Sequence, residues 1–182
     1  MHKVWTYADL RHTPDDGKRY EIFDGELVVT PAPGIPHQVT VFELTMRLYL
    51  RLKEIAIAYI SPVDVLLAWD RVLEPDIVVV RHERQAIVTE RAIEGAPDLV
   101  VEVLSPRGAT RDRVRKARLY ANSGVPEYWI VDPRAKTIEV YALGDRGYCL
   151  DGEYAVGDWL TSVTFDFTLD VSSIFTFKAP AQ

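Results

Sequence analysis

The chain has 182 residues, of which 48% are hydrophobic and 26% charged, a composition typical of one soluble domain with a sizeable core. Its formal net charge of −6 excludes a global basic surface, so contact with nucleic acid requires a local basic patch, a bound metal ion or both. The single cysteine, Cys149, excludes an internal disulfide framework and a cysteine-rich zinc site.

Targeting signals are absent from the sequence pattern. No window is apolar for the ~18 residues that a membrane span needs. The first residues, MHKVWTYADLRHTPDDG, lack the apolar core of a signal peptide. We therefore expect a cytoplasmic protein without membrane contact. With no repeats, low-complexity tracts or linker in the chain, we expect one domain over residues 1–182.

The N-terminal third predicts a short helix, a hairpin and a long helix. Thr6 is placed to cap a helix over about 5–10. Apolar runs at 19–23 and 26–30 flank Asp24-Gly25, a dipeptide typical of a type I′ hairpin turn. From about Pro36 to Glu54, two neighbouring apolar stripes recur at three- and four-residue steps. A face this wide predicts a helix that is well buried against a sheet.

The remainder predicts mostly strands with one further helix. Residues 81–95 are polar and carry no clear assignment. A helix over about 110–122 has Thr110 as its cap and Gly124 at its C-terminal end. The predicted strands are 56–60, 63–69, 75–80, 97–106, 127–132 and 137–143, followed by shorter strands in the tail. This order favours an α/β or α+β domain around a mixed sheet, with an N-terminal hairpin and a β-rich C-terminal extension.

Two predicted strands each carry a carboxylate among aliphatic residues, Asp76 in PDIVVV and Glu102 in LVVEVL. An ionised carboxylate in such a place needs a partner or a cation. If the strands are neighbours, both carboxylates enter one pocket, where one of them takes a proton or a divalent cation bridges them. Oxygen ligands without soft donors favour Mg²⁺, with Mn²⁺ as the alternative.

The helix that follows Glu102 is rich in cations. Lys116 and Tyr120 are four residues apart and share one face, with Arg113 three residues before Lys116. A lysine that reaches back over the strand end comes close to Glu102. The cations that form a local basic patch are Arg107, Arg111, Arg113, Arg115, Lys116 and Arg118. A charge-rich helix face that only contacts solvent is the alternative interpretation of this run.

PDIVVV, PDLVVEVLSP, the helix with Lys116 and Tyr120, and GVPEYWIVDP together resemble the Uma family of restriction-endonuclease-like nucleases, within the PD-(D/E)xK superfamily. YEIFDGELV and the Pro36-His37 entry to the long helix resemble it too. The likeness covers roughly residues 5 to 145. It implies a core sheet flanked by helices and metal-dependent phosphodiester hydrolysis.

The resemblance also implies roles for individual residues. Asp76 and Glu102 become metal ligands, and Lys116 orients the attacking water or neutralises charge on phosphorus. The superfamily pattern expects a lysine two residues after the glutamate, but this chain has Leu104 there, so Lys116 is the substitute.

Further residues complete the expected cleft. His37 is expected there as a proton shuttle, Glu21 as an extra ligand and Tyr120 as a lining aromatic. Arg107, Arg111, Arg113 and Arg115 are expected to hold backbone phosphates without reading sequence.

The leading hypothesis is therefore a Mg²⁺- or Mn²⁺-dependent endonuclease acting on DNA. One alternative is a nuclease fold that is catalytically inactive and serves in binding or assembly, since Leu104 replaces the expected lysine and the net charge is acidic. A metal-dependent hydrolase of another phosphate ester is a third class. A homodimer is the expected assembly of small nucleases of this type, although no pattern in one sequence locates its interface.

Overall fold

The computed structural model describes residues 3–105 and 110–177. Three α-helices occur among them, none long and apolar enough to cross a lipid bilayer. The helices are α1 (Tyr7–Leu10), α2 (Ile35–Leu52) and α3 (Thr110–Asn122). The strands are β1 (Arg19–Phe23), β2 (Glu26–Thr30), β3 (Ala56–Ile60), β4 (Asp64–Ala68), β5 (Arg71–Leu73), β6 (Ile77–Arg81), β7 (Ala92–Glu94), β8 (Leu99–Val103), β9 (Glu127–Asp132), β10 (Thr137–Gly144), β11 (Gly147–Ala155), β12 (Trp159–Thr161) and β13 (Thr168–Asp170).

The N-terminal hairpin forms as its sequence predicts. Asp24 and Gly25 have φ angles of 50° and 80°, the two positive values that a type I′ turn requires. The hairpin is not free-standing, however. Strand β1 also pairs with β5, and the five-stranded sheet has the order β2-β1-β5-β4-β7. Strands β5 and β7 were not predicted, because three-residue strands are too short to show a period.

A mixed six-stranded sheet has the order β11-β10-β9-β8-β6-β3, in which only the β8–β9 pair is parallel. Its three central strands are apolar on both faces, as burial on both sides requires. One face packs against α2 and the other against α3. This arrangement confirms the expected mixed sheet between helices. The division of the strands between two sheets was not expected.

Helix α2 corrects one prediction. One of its two apolar stripes, which includes Val41, Leu44 and Leu48, is buried in the core beneath the six-stranded sheet. The other stripe, which includes Phe42 and Tyr49, faces solvent instead. Phe42 is 63% exposed and Tyr49 is 54% exposed. The expectation that the whole wide face is buried is therefore wrong. The sheet covers only one side of the helix, and the side chains on the remaining side point away from it.

The C-terminal part closes the core on the α2 side. Strands β12 and β13 form a two-stranded sheet, and a 3₁₀ turn follows at residues 171–173. Their apolar side chains join the α2 cluster, and Arg47 of α2 donates to Ser173 at 2.6 Å. The β-rich extension is thus part of the core on the α2 side of the six-stranded sheet, whereas the sequence pattern left its position open.

Candidate active site

The two candidate carboxylates lie side by side at one end of the six-stranded sheet. Strands β6 and β8 are antiparallel, with Ile77 opposite Val101. The next pair along this register is Asp76 and Glu102, and the backbone N–H of Val103 donates to Asp76 Oδ2 at 2.7 Å. Both carboxylates are buried. The pairing of β6 with β8 meets the condition under which the two carboxylates were expected to lie together.

Asp76 is held by three donors. Arg19 Nη2 lies 2.9 Å from Oδ1, and His37 Nε2 lies 3.1 Å from Oδ2, which also accepts from Val103. Burial by itself raises the pKa of a carboxyl group. The hydrogen bond from His37 and the Arg19 charge outweigh that effect and hold the pKa of Asp76 at about 2. Asp76 is therefore an anion at neutral pH.

Glu102 meets the two predicted residues of α3. Lys116 Nζ lies 2.9 Å from Oε1 and 3.1 Å from Oε2, and the Tyr120 hydroxyl donates to Oε1 at 2.7 Å. The i, i+4 spacing directs both side chains to the same carboxylate. Burial raises the pKa of Glu102, an effect that the Asp76 and Glu21 charges increase and the Lys116 charge opposes.

Lys116 also contacts Glu21. Its Nζ lies 2.8 Å from Glu21 Oε1, which accepts the backbone N–H of Glu74 at 2.9 Å as well. Burial lowers the pKa of a lysine, but here the Glu102 and Glu21 charges more than compensate and raise the pKa of Lys116. The ammonium group is thus a fixed positive charge between two carboxylates from different sheets.

Arg19 and Glu74 are members of the cluster that the sequence analysis missed. Arg19 Nε lies 3.0 Å from Glu74 Oε1, and Ser61 Oγ donates to the same oxygen at 2.8 Å. The nearby carboxylates raise the pKa of Arg19 although its burial opposes this. One signal was present in the sequence: Arg19 and Glu21 are two apart on a strand and therefore face the same side.

His37 begins the buried face of α2 and is 5% exposed. Its Nε2 contacts Asp76, whereas its Nδ1 is buried and is without a hydrogen-bond partner among the described residues. Tyr120 is fully buried, and burial together with the Glu102 charge raises its pKa well above the usual value. Its hydroxyl therefore stays protonated and donates.

The predicted phosphate-binding arginines are only partly described. Arg107 lies outside the described residues, as do the side chain of Arg111 and the cap at Thr110. Arg113 forms an ion pair with Glu139, and Arg115 Nη2 lies 2.7 Å from Glu26 Oε2. Arg113 and Arg115, the two described members of the predicted phosphate-binding set, therefore have acidic partners on β10 and β2. Their role in binding phosphate stays a prediction.

The site has an excess of negative charge. Four carboxylates, Glu21, Glu74, Asp76 and Glu102, contact two permanent cations, Arg19 and Lys116. With all four carboxylates ionised, the difference is two negative charges. Within residues 3–105 and 110–177, no group of three or more His, Cys, Asp or Glu side chains is arranged to hold a metal ion by itself.

A mixed sheet between helices, with adjacent strand carboxylates and a lysine against one of them, defines a restriction-endonuclease-like fold. A solved structure from Anabaena variabilis, titled a "putative nuclease belonging to DUF820", supports this fold. It has a TM-score of 0.77 and 20% identity, and the match covers 94% of this chain and 98% of that one.

Family membership follows from the sequence itself. The chain matches the Uma2 model, described as "Putative restriction endonuclease", over residues 6–172 and belongs to this family. It is also similar to an uncharacterised protein of Synechocystis sp., with 40% identity over 78 residues. That match spans 41% of either chain. The membership confirms the resemblance and supports a nuclease-like function.

Proposed function

We propose that the chain is a metal-dependent endonuclease that hydrolyses phosphodiester bonds in DNA. The observation that carries the proposal is the pairing of Asp76 with Glu102 across β6 and β8, with Lys116 Nζ 2.9 Å from Glu102. The proposed place of action is the cytoplasm.

The donor set fits a hard divalent cation. It consists of carboxylate oxygens with uncompensated negative charge, the ligands that Mg²⁺ and Mn²⁺ prefer. Asp76 and Glu102 would hold the ion. Two protein carboxylates suffice for Mg²⁺, which keeps several waters and takes the remaining ligands from the substrate. When bound, the ion supplies a water of lowered pKa and polarises the phosphate.

The residues of the chain have separate roles in this proposal. Arg19 and His37 orient Asp76, since each donates to a different oxygen of its carboxylate. Tyr120 fixes Glu102. Lys116 is the cation nearest to Glu102, where its ammonium group neutralises charge that develops on the phosphate. Glu21 keeps Lys116 protonated and in place.

A cleavage assay tests the proposal. Supercoiled plasmid is incubated with the protein and Mg²⁺ or Mn²⁺, with a chelator as the blank and single-stranded RNA as a second substrate. We expect nicking that needs metal and falls at least about a hundredfold in Asp76→Asn and in Glu102→Gln. Asp98→Asn is the matched control, because Asp98 is also a buried aspartate after a proline and lies outside the cluster.

Equal cleavage by Asp76→Asn and the parent contradicts the proposal, as does a parent inactive under every metal condition. Circular dichroism of each variant separates loss of activity from loss of fold. Cleavage of RNA alone overturns the assignment to DNA.

A catalytically inactive binding module is the second candidate. It is favoured by the observation that both carboxylates already have cationic partners, Arg19 for Asp76 and Lys116 for Glu102. Titration calorimetry with Mn²⁺ distinguishes the two. Binding that is lost in Asp76→Asn favours the enzyme, and no binding by the parent favours the module.

A further inference from the structure

Helix α2 has a second apolar face that the fold does not use. Its 3.6-residue turn separates successive residues by about 100°. On that wheel the outward apolar side chains lie on the side of the helix that faces away from the core residues Val41, Leu44 and Leu48. We call these outward residues the outer stripe: Ile35, Val39, Phe42, Met46 and Tyr49.

Four of the five residues of the outer stripe are exposed, and Val39 between them is half-buried. Ile35 is 70% exposed, Phe42 63%, Tyr49 54% and Met46 41%, and Leu50 beside them is 62% exposed. Scattered apolar side chains are normal on a protein surface, but a contiguous patch on one helix face is typical of an interaction site. None of the residues proposed for catalysis is in the stripe.

The spacing of the stripe is that of a helix-pairing seam. Its residues follow one another at steps of four, three, four and three, the heptad rhythm in which side chains of one helix fit between those of another. The position continuing this rhythm is Lys53, which is outside the helix end. A second helix fits this spacing as the occupant.

We propose that the outer stripe is the interface of a homodimer, in which α2 packs antiparallel against α2 of a second copy. A two-fold interface places the same patch on both sides, so the patch must be self-complementary. The outer stripe carries no charge, and two copies meet there without repulsion. This inference is independent of the catalytic proposal.

The antiparallel arrangement gives matched contacts. With the two-fold axis midway between Phe42 and Met46, Phe42 lies against the partner subunit's Met46, a sulfur–aromatic contact that is favourable. Val39 then meets the partner subunit's Tyr49. A parallel pair instead brings the two copies of Lys53 together, which is unfavourable. The ion pair of Glu43 and Arg47 flanks the stripe and supplies a polar rim.

The available area is suitable for a dimer. An aromatic side chain buries about 150–250 Å² when fully covered. The exposed apolar side chains of α2 therefore contribute several hundred Å², a large part of the roughly 800 Å² per partner of a standard interface. They are Ile35, Phe42, Met46, Tyr49 and Leu50. His37 lies on the opposite side of the helix, so pairing leaves its contact with Asp76 undisturbed.

Sedimentation velocity and light scattering over a wide range of protein concentration test the proposal. We expect a dimer for the parent and a monomer for Phe42→Glu/Met46→Glu, with the dissociation constant raised at least about a hundredfold. Leu150→Glu is the control, because Leu150 is 54% exposed on β11 and lies outside α2. Unchanged circular dichroism and thermal midpoint show that the variants fold.

Three results overturn the proposal: a parent that is monomeric throughout, a Phe42→Glu/Met46→Glu variant that remains dimeric, or a dimer that is lost only in Leu150→Glu. Binding of a different protein to the outer stripe of a monomeric parent also overturns the proposal.

Cysteine cross-linking tests the orientation, in a background in which the exposed Cys149 is replaced by serine. The Val39→Cys/Tyr49→Cys variant is expected to form a disulfide-linked dimer, because antiparallel pairing places the two positions together. Val39→Cys alone is expected to stay uncrosslinked, since ten residues at 1.5 Å each separate the two copies of position 39 by about 15 Å. Efficient cross-linking of Val39→Cys alone overturns the antiparallel arrangement.

Discussion

Buried charges at the candidate site stabilise one another, so the removal of one leaves its partners without a compensating charge. Lys116 Nζ contacts Glu102 and Glu21 at 2.9 and 2.8 Å, and all three side chains are buried. Removing one member of a buried ion pair leaves a charge without compensation, which is more costly than removing the whole pair. The cluster therefore couples residues of the candidate active site to the stability of the fold.

Lys116→Met is expected to lower the free energy of unfolding by about 3–5 kcal/mol at neutral pH. Urea unfolding monitored by circular dichroism measures the loss. Lys53→Met is the control, because the Lys53–Glu54 pair is exposed and such pairs contribute about 0–1 kcal/mol. Equal losses in the two variants contradict the assigned role of the Glu21–Lys116–Glu102 cluster.

Asp64 predicts a separate pH effect. Burial raises its pKa to about 6, and the Glu74 and Glu21 charges add to the shift. A carboxyl group whose pKa is raised by folding stabilises the protein below its unfolded pKa, near 3.8, and this contribution is lost as the pH rises through about 6. The side chain at position 64 of Asp64→Asn is uncharged at every pH, so this variant does not lose stability as the pH rises through this window.

Asp64→Asn is therefore expected to be more stable than the parent at neutral pH, by on the order of 1 kcal/mol after allowance for solvent screening. The advantage should shrink on acidification through the window from about 6 to about 4. Urea unfolding at several pH values measures it. A difference between the two proteins that is independent of pH contradicts the assignment.

Among the secondary-structure elements, the hairpin of β1 and β2 is determined most locally. Its turn holds Gly25 at a φ of 80°, and the backbone of Gly25 accepts from Trp5 and donates to Asp70. A Cβ at this position would come within 2.7 Å of Val4 Cγ1. The glycine is thus required both by the turn and by the N-terminal segment that crosses it.

Gly25→Ala is expected to cost about 2 kcal/mol, more than the roughly 1 kcal/mol expected for a left-handed alanine without a steric clash. Gly17→Ala is the matched control, because Gly17 has a similar φ of 74° and open space around it. Thermal unfolding of both variants compares them. Equal shifts in the midpoint show that Val4 moves aside without cost.

At the level of the whole molecule, the candidate site joins the two sheets. Arg19 and Glu21 belong to the five-stranded sheet, whereas Glu102 belongs to the six-stranded one and Asp76 directly precedes its strand β6. The ion pairs of Arg19 with Asp76 and of Lys116 with Glu21 cross this junction. The sheets are therefore expected to unfold together.

Arg19→Met is expected to destabilise both sheets by about 3–5 kcal/mol, because Asp76 and Glu74 lose their shared cation. Hydrogen exchange of amides in β1 and in β9 measures each sheet. Arg71→Met, which removes the more exposed Arg71–Asp24 pair, is the control with an expected loss below about 1 kcal/mol. Loss of protection in β1 alone indicates that the sheets unfold independently.

The local sequence determined much of the fold and part of the site. The Asp24-Gly25 turn, the apolar strands around Asp76 and Glu102 and the helix that carries Lys116 were all predictable, because turn chemistry, period and i, i+4 spacing act within a few residues. The family resemblance added the roles of these residues, which periodicity does not contain.

Only the tertiary structure decided which elements meet. It paired β6 with β8, added Arg19 and Glu74 to the cluster, and divided the strands between two sheets. It also left the outer stripe of α2 exposed, although the sequence pattern there predicts burial. The physical reason is that a period identifies an apolar face but contains no information about the surface that covers it. Asp76 and Glu102 lie in one buried cluster because the strand register placed them side by side.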